Sequence, residues 1–414
     1  MTAKAPRVAY IMSRFPKLTE TFVLDEMLAM QSQGVTVEVF PLWRESARLM
    51  HAEASAMVSR AHFLPTLNTT IVAANFFWLR RHPQIYLATL FVLIRANWRS
   101  MRFLLGALAV FPKACSFARK MRALGVDHVH AHFASHPAAA AYVIGRLAEI
   151  PWSFTAHGSD LHREQAMLRE KVEAADFVIA ISEYNRRFII ERVGTACADK
   201  VRKLHCGVER SRFTRTPTQA PQAEGNDAPG IICIGTLHAV KGQKFLLLAC
   251  GRLRSLGYRF RCHLVGDGED RRALETLAED LKIANDVVFH GAIERERVQE
   301  VLSSVQIAAA PSVPTADGRR EGIPVALMEA AACGLPLVAS RLSGIPELVR
   351  DEETGLLVDA FDDAALAQAL ARLLEKPQER QRLGDAAREL LSMSFDLQRN
   401  VASLRSMMFA PDCA

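Results

Sequence analysis

At 414 residues, half of them apolar and 23% charged, the chain has material for two or three ordinary globular domains and is no disordered or fibrous polymer. Its eight cysteines, at 115, 197, 206, 233, 250, 262, 333 and 413, include no C-x-x-C pair, which argues against a zinc ribbon or a disulfide framework and favours a reducing compartment. The net charge of +6 is unevenly spread: residues 54–126 hold ten basic side chains and no Asp or Glu, leaving the remainder at −4.

The first apolar run predicts a strand at 8–12. No long apolar stretch precedes it, so no signal peptide is visible and a cytoplasmic location is expected. The loop that follows, SRFPKLTET, offers Arg14 and Lys17 to an anionic acceptor and Thr19 as a helix cap. It contains no glycine between Met12 and Thr21, so the G-x-G-x-x-G turn of a dinucleotide-dependent oxidoreductase is missing. A second strand is expected at 36–42.

Within 54–126 the basic residues are Arg60, Arg80, Arg81, Arg95, Arg99, Arg102, Lys113, Arg119, Lys120 and Arg122. Between them lie IYLATLFVLI and FLLGALAVF, each shorter than the ~20 residues that a membrane-spanning helix needs. The pattern predicts helices lying on an anionic membrane surface. Nucleic acid is not expected as a partner, because no stacking motif or recognition helix accompanies the charge.

Strands are then expected at 128–132, 152–155, 177–180 and 201–204. HVHAH puts His128, His130 and His132 on one face of the first of these, since side chains alternate along a strand. Spaced roughly 6–7 Å apart, all three are too spread to share one zinc ion, and no metal site is predicted. His132, at the carboxyl end of that strand, is the one expected to reach a ligand cleft. His157 and Asp160 stand in TAHGSD, in the loop after the next strand.

TRTPTQAPQAEGNDAP, residues 214–229, reads as a linker. Beyond it strands are predicted at 231–235, 261–265, 287–290, 307–310 and 337–340, so helices and strands alternate as in parallel α/β sheets. Lys241 ends the first loop of this half, beside Gly242 and the start of a helix, an arrangement that suits a diphosphate. Gly266 and Gly268 allow a tight turn at a strand's carboxyl end. In EGIPVALMEAAACGLPLVAS, Pro324 suits a helix's first turn and Gly334 its end. Glu321 then lies in the loop feeding the helix, and Glu329 about a turn and a half inside it. Two carboxylates flanking a helix N-terminus suit a sugar nucleotide, with its diphosphate at the dipole. A last helical segment is expected at about 384–409.

This segment resembles the E-x7-E motif of the retaining family 4 glycosyltransferases, and the likeness covers nearly the whole chain. RVAYIMSRFPKLTETFV, HVHAHFASHPAA, WSFTAHGSD, IGTLHAVKGQ, LVGDGED and SGIPELV resemble further signatures of a bacterial exopolysaccharide branch of that family, in the expected order. The resemblance implies an α/β fold of two facing Rossmann-like domains, the GT-B fold, with a C-terminal helix returning to the first domain. The domains would be 1–213 and 230–383, joined by 214–229, with 384–414 as the crossing helix and tail.

It also implies roles. Glu321 would face the donor sugar's hydroxyls, with the Gly322 and Ile323 backbone close by, and Glu329 would accept from the ribose. Gly235, Thr236 and Gly266 would line the donor loops, and Gly291 and Ala292 would edge the nucleobase. His157 would contact the reacting sugar or stabilise developing charge, and Asp160 would orient neighbouring backbone or the acceptor. Arg14, Lys17 and His132 would serve the acceptor. Thr236 stands where the family commonly carries an arginine that clamps the diphosphate together with Lys241; Arg319 and Arg320, or Arg14 and Lys17, are the candidates to replace it. The implied reaction is retaining transfer from a nucleotide-diphosphate sugar to a lipid-linked or polysaccharide-precursor acceptor, at the inner face of the cytoplasmic membrane. No divalent metal is expected, since cations already surround the phosphates and no D-x-D pair stands out. A non-catalytic binding paralogue and a sugar-nucleotide epimerase on the same scaffold are the rival readings.

Overall fold

The structure is a computed structural model, which describes residues 5–17, 19–45, 52–65, 68–213 and 228–409. The chain divides into two units, the first comprising Met1–His205 and Gln398–Ala414, the second Cys206–Leu397. Of the expected linker at 214–229, residues 214–227 lie outside the described residues.

Unit 1 is built on six parallel strands: β1 (Arg7–Phe15), β2 (Thr36–Arg44), β3 (His128–His132), β4 (Trp152–Ala156), β5 (Phe177–Ala180) and β6 (Val201–Lys203), in the spatial order β2-β1-β3-β4-β5-β6. Every residue of β3, β4 and β5 is buried, as a parallel sheet covered on both faces requires. The strand order reverses between β1 and β3, and the crevice at the carboxyl ends of such a pair is where ligands of open α/β sheets bind. The C-terminal helix Leu397–Phe409 belongs to this unit: Gln33 Nε2 donates to Gln398 O at 2.9 Å and Asn400 Nδ2 to His205 O at 3.0 Å.

Unit 2 repeats the plan with β7 (Gly230–Ile234), β8 (Arg261–Val265), β9 (Val287–Gly291), β10 (Ile307–Ala310), β11 (Leu337–Ser340) and β12 (Gly355–Val358), ordered β12-β11-β10-β7-β8-β9. Its reversal falls between β7 and β10.

The strands follow the apolar runs, with three departures. The sequence reading lacks β12, whose four residues follow the acidic turn DEET and are too few to show a period. The last helical segment is two helices, Pro377–Ser394 and Leu397–Phe409, interrupted where Val208 N donates to Phe395 O at 3.0 Å and pairs with Asp396. Pro324 is the residue before the helix Val325–Ala332 rather than inside its first turn, with φ −62° and ψ 125°.

The acid-free stretch forms the helices Thr69–Arg81, Pro83–Asn97 and Met101–Leu124, and the end of the helix Ala52–Val58, whose first turn carries Glu53. The apolar run at 103–111 is therefore part of a 24-residue helix. Among the described residues, this is the one helix long and apolar enough to cross a membrane by length and composition, but half of its most apolar window is buried within the protein. Val110, Phe111, Ala114, Phe117, Ala118 and Met121 form its inner face, and Trp78 Nε1 donates to its Cys115 carbonyl at 2.8 Å. Lys113 is not on the surface: it is buried and donates to Leu42 O, and burial lowers its pKa.

Candidate active site

In unit 2 the loops after four strands meet at the carboxyl edge of the sheet. After β7 the chain runs through Gly235 and Thr236 to a 3-10 turn, Ala239–Lys241, then Gly242, and enters the helix Gln243–Ser255. Gly242 has φ +70°, and a Cβ there would lie 1.8 Å from Pro311 O in the loop after β10. Gly266, after β8, has φ +129°, and its Cβ would lie 2.1 Å from Gly235 O. Only glycine fits either position. Backbone hydrogen bonds lock the loops together: Leu237 N to Asp267 O at 3.1 Å, Val313 N to Val240 O at 3.0 Å, and Gly266 N to Gly291 O at 2.9 Å.

On this platform Lys241 Nζ lies 2.6 Å from Glu321 Oε2, both side chains being about four-fifths buried. Residues eighty apart in sequence thus form one ion pair, because the order reversal sets β7 beside β10. Gly322 and Ile323 are buried next to Glu321. The helix Val325–Ala332 begins just beyond, and its first N–H groups, those of Val325 and Ala326, have no acceptor within the helix. Glu329 is half-buried in its second turn. Gly291, with φ +70°, and the exposed Ala292 edge the neighbouring strand end.

Thr236 is exposed, and its carbonyl accepts from Gln243 Nε2 at 3.1 Å. Of the cations named to replace an arginine there, Arg319 reaches this loop: its Nη1 lies 2.6 Å from His238 Nε2, and Asp317 holds its Nε at 3.0 Å. In unit 1, Arg14 pairs with Glu45 at 3.3 Å and Lys17 with Glu20 at 2.5 Å.

Unit 1 gathers its own polar cluster at the β1/β3 reversal. The three histidines of β3 share a face with Ser153 and Thr155 of β4. Ser153 Oγ bridges His128 Nε2 at 2.7 Å and His130 Nδ1 at 2.8 Å, and Thr155 Oγ1 meets His130 Nε2 at 2.9 Å. His132, expected to reach a ligand cleft, is instead wholly buried: Tyr10 stacks on it at 5.7 Å, and its Nδ1 lies 3.1 Å from His157 Nε2. His157 keeps an edge at the surface, with Phe22 and Phe133 packed on its ring. Burial, and then the neighbouring His132, holds the His157 pKa well below the imidazole range.

Asp160 pins the loop. Its carboxylate accepts from Ala134 N at 2.7 Å, Gly158 N at 2.6 Å and His157 N at 3.1 Å, so it orients backbone. Below it Lys171 donates to the carbonyls of Ala134 and Ala166, and burial brings its pKa down to about 7.

The sequence reading did not include Glu26. It lies on the helix Thr21–Ser32, whose Val23, Met27 and Met30 are buried, and it accepts from Tyr10 Oη at 3.0 Å. Ligand atoms of Glu26, His130 and His132 fall within 4.8 Å of one another, closer than three histidines on one strand allow. Both ring nitrogens of His130 already meet hydroxyls, so this set suits a hydrogen-bonded network better than a metal.

Two doubly wound parallel units, with glycine loops and an ion pair at one switch point and a histidine cluster at the other, define a GT-B glycosyltransferase scaffold. The chain matches the family descriptions "Glycosyltransferase Family 4" over residues 19–212 and "Glycosyl transferases group 1" over 215–390. It is 30% identical over 423 residues to a putative colanic acid biosynthesis glycosyltransferase, WcaL, of Escherichia coli, spanning 96% of this chain and 99% of the relative. It is 26% identical to the amylovoran biosynthesis glycosyltransferase AmsK of Erwinia amylovora, over 89% of this chain and 90% of that protein. Among solved structures it resembles HepE of Anabaena in complex with UDP, with a TM-score of 0.71 at 18% identity, over 97% of this chain and 99% of HepE. The chain belongs to the family 4 glycosyltransferases.

Proposed function

We propose that this glycosyltransferase moves a sugar, with retention of anomeric configuration, from a nucleotide-diphosphate sugar to a lipid-linked or polysaccharide-precursor acceptor of exopolysaccharide biosynthesis. The observation that carries the reading is the Lys241–Glu321 pair on the glycine platform of unit 2. A partly exposed ion pair of this kind is worth only about 1 kcal/mol, so a diphosphate can displace it at little cost. Lys241, Arg319 and the N–H groups at the start of Val325–Ala332 then hold the diphosphate, which releases Glu321 to accept from the sugar's hydroxyls. Glu329 accepts from the ribose, and Gly291 and Ala292 edge the base. No divalent metal is needed, since these donors carry the leaving-group charge.

In the transfer step the bond from the anomeric carbon to the diphosphate oxygen breaks. The acceptor oxygen bonds to that carbon on the same face, and its proton passes to the departing phosphate oxygen. His157 is assigned to the sugar, and Arg14 and Lys17 to an anionic acceptor. The relatives' roles in colanic acid and amylovoran synthesis, and the UDP bound by HepE, support a nucleotide sugar and a polysaccharide acceptor.

The acceptor is assigned to the inner face of the cytoplasmic membrane, where unit 1 docks through its acid-free helices. Among the described residues, ten of the fourteen large apolar side chains that stand exposed lie between residues 72 and 108, among them Phe76, Leu87, Phe91, Trp98 and Leu105, beside Arg80, Arg81, Arg95, Arg99 and Arg102. That concentration supports an anionic lipid surface as the partner.

The test incubates the purified protein with labelled UDP-, GDP- and ADP-sugars and a lipid-linked oligosaccharide extract, and reads the product's anomeric configuration by NMR. An α-donor giving an α-linked product supports the reading. An inverted product sinks retention, and a folded enzyme that neither transfers nor hydrolyses any donor favours the binding-protein alternative.

A further inference from the structure

Unit 2 presents two cations to the proposed diphosphate, Lys241 and Arg319, and both are tied to one side chain. His238 stands in the loop after β7, between Arg319 in the loop after β10 and Glu269 in the loop after β8, as the order β10-β7-β8 requires. Three groups converge on its ring. Val240 N lies 3.1 Å from Nδ1, Arg319 Nη1 lies 2.6 Å from Nε2, and Glu269 Oε1 lies 3.3 Å from Nε2.

These contacts cannot all be hydrogen bonds at once. A neutral imidazole has one lone pair and one N–H, whereas the Val240 amide and the Arg319 guanidinium can only donate. With the proton on Nδ1, Nε2 accepts from Arg319, but the Val240 N–H loses its cap and a lone pair faces the Glu269 carboxylate. With the proton on Nε2, Nδ1 caps Val240 and Glu269 accepts, but Arg319 meets another donor and has to leave. The first arrangement prevails without ligand, because the bond from a cation is the shorter and the stronger, and Val240 is only half-buried.

We propose that His238 is a switch for the arginine of the donor site: it parks Arg319 on Nε2 in the free protein and, when a diphosphate draws Arg319 away, carries its proton on Nε2 and pairs with Glu269. The inference rests on the donor site proposed for unit 2 and involves that unit alone. One proton leaves Nδ1 for water and one returns from water to Nε2, so the charge of the ring does not change. Asp317 holds Arg319 by Nε at 3.0 Å, so the Nη end is what changes partner. Its departure restores the cap on Val240, at the start of the turn Ala239–Lys241. Lys241 N donates to His238 O at 2.8 Å in that turn, so the turn carrying one cation is firmed as the other engages. His238 and Glu269 are positioning residues and do not themselves touch the donor.

The test reads the sign of a substitution. By Coulomb repulsion alone, removing a carboxylate beside an anion site tightens anion binding. The switch requires the opposite of Glu269→Ala: the parked state gains, and the calorimetric Kd of UDP, GDP or ADP, whichever binds, should rise about 3- to 10-fold. His238→Asn can cap Val240 but is too short to reach Arg319, and in that background Glu269→Ala should leave Kd unchanged or lower it. The second readout is long-range proton–nitrogen NMR on ¹⁵N-histidine protein at pH about 8, above the ordinary imidazole range. With His238 assigned from the signals lost in His238→Asn, the ligand-free wild type should be protonated at Nδ1. The nucleotide-bound wild type and ligand-free Arg319→Met should both be protonated at Nε2.

A ligand-free wild type protonated at Nε2, or at both nitrogens, overturns the inference, and that spectrum decides even if a variant does not fold. A folded Glu269→Ala that binds nucleotide as tightly as the wild type, or more tightly, overturns it as well. The two readings fail separately. Nucleotide binding with an unchanged His238 tautomer removes the switch alone. Absence of binding, with Nδ1–H in the wild type and Nε2–H in Arg319→Met, removes the donor site and leaves the parking contact standing.

Discussion

The two units share one architecture and arm it in opposite ways. Unit 2 builds its site from backbone: glycines at Gly235, Gly242 and Gly266 let three loops interlock, and a single charge pair, Lys241–Glu321, stands on top. Unit 1 builds from buried side chains, with Tyr10, Glu26, His130, His132 and His157 linked by hydrogen bonds and close polar contacts behind one ring edge. A backbone platform is tolerant of pH and intolerant of Cβ atoms. A buried imidazole network has the reverse sensitivities, and most tests of the account exploit that contrast.

The largest effect is expected at the charge pair. Lys241→Ala and Glu321→Ala should each lower kcat/KM for the donor by about 10²- to 10³-fold. Because the diphosphate parts the pair and leaves Lys241 on the phosphates and Glu321 on the sugar, the losses should be nearly additive in the double variant, short only by the weak coupling of the free pair. A double variant no worse than either single one in steady-state kinetics would break the claim that the two side chains serve different parts of the donor.

Next comes Gly266→Val. Its Cβ would meet Gly235 O at 2.1 Å, at a φ that side chains rarely adopt, so a loss of roughly 3 kcal/mol or more is expected, read as a drop of about 10 °C in the melting of unit 2. Gly34→Ala in unit 1 is the control: its φ is +82° but nothing lies within 4 Å, so the cost should be about 1 kcal/mol.

Acid should separate the units. Burial lowers His128 to about 3 and His136 to about 4, and lowers His130 and His157 well below the usual value. Unit 2 has two such groups, His263 at about 4 and His290. Between these folded-state values and the ordinary value near 6.5, the unfolded chain binds more protons, so stability falls as pH drops through that window, by up to about 1.4 kcal/mol per pH unit for each group. Calorimetry from pH 7 to pH 5 should show unit 1 losing stability faster than unit 2. Equal losses would contradict the buried network.

The last contrast is alkaline and falls on a single group of unit 1. With Lys171 at about 7 in the folded state and at its ordinary value near 10.5 when unfolded, the folded chain binds fewer protons in between, so stability should rise as pH climbs from 7 to 10. Lys171→Met should flatten that slope in the same calorimetric series, and a slope that persists would assign it elsewhere.

The same contrast explains what was legible in the sequence. Unit 2's loops are local, each a strand, a glycine turn and a helix start, so Lys241, Gly266, Glu321 and Glu329 could be picked out from short strings. What no string shows is that Lys241 and Glu321 touch, since their contact follows from the strand order. In unit 1, the orienting role of Asp160 was readable because its partners His157 and Gly158 are two and three residues away. His132 was placed on the correct strand face, but alternation does not reveal that Tyr10 covers it. Glu26 carries no motif. Its one signal is a carboxylate within the buried stripe of an apolar helix, between Val23 and Met30. The chain's final break at Phe395 and Asp396 was invisible because nothing in the local pattern announces the pairing with Val208.

The central claim is that unit 2 holds a sugar nucleotide at Lys241 and Glu321, and its most direct test is the ligand-induced shift in melting temperature across UDP-, GDP- and ADP-sugars, for wild type and Glu321→Ala. The account predicts a shift with one nucleotide family, weakened by the substitution. A folded wild-type protein that shifts with none of them, or shifts equally with and without Glu321, would contradict it.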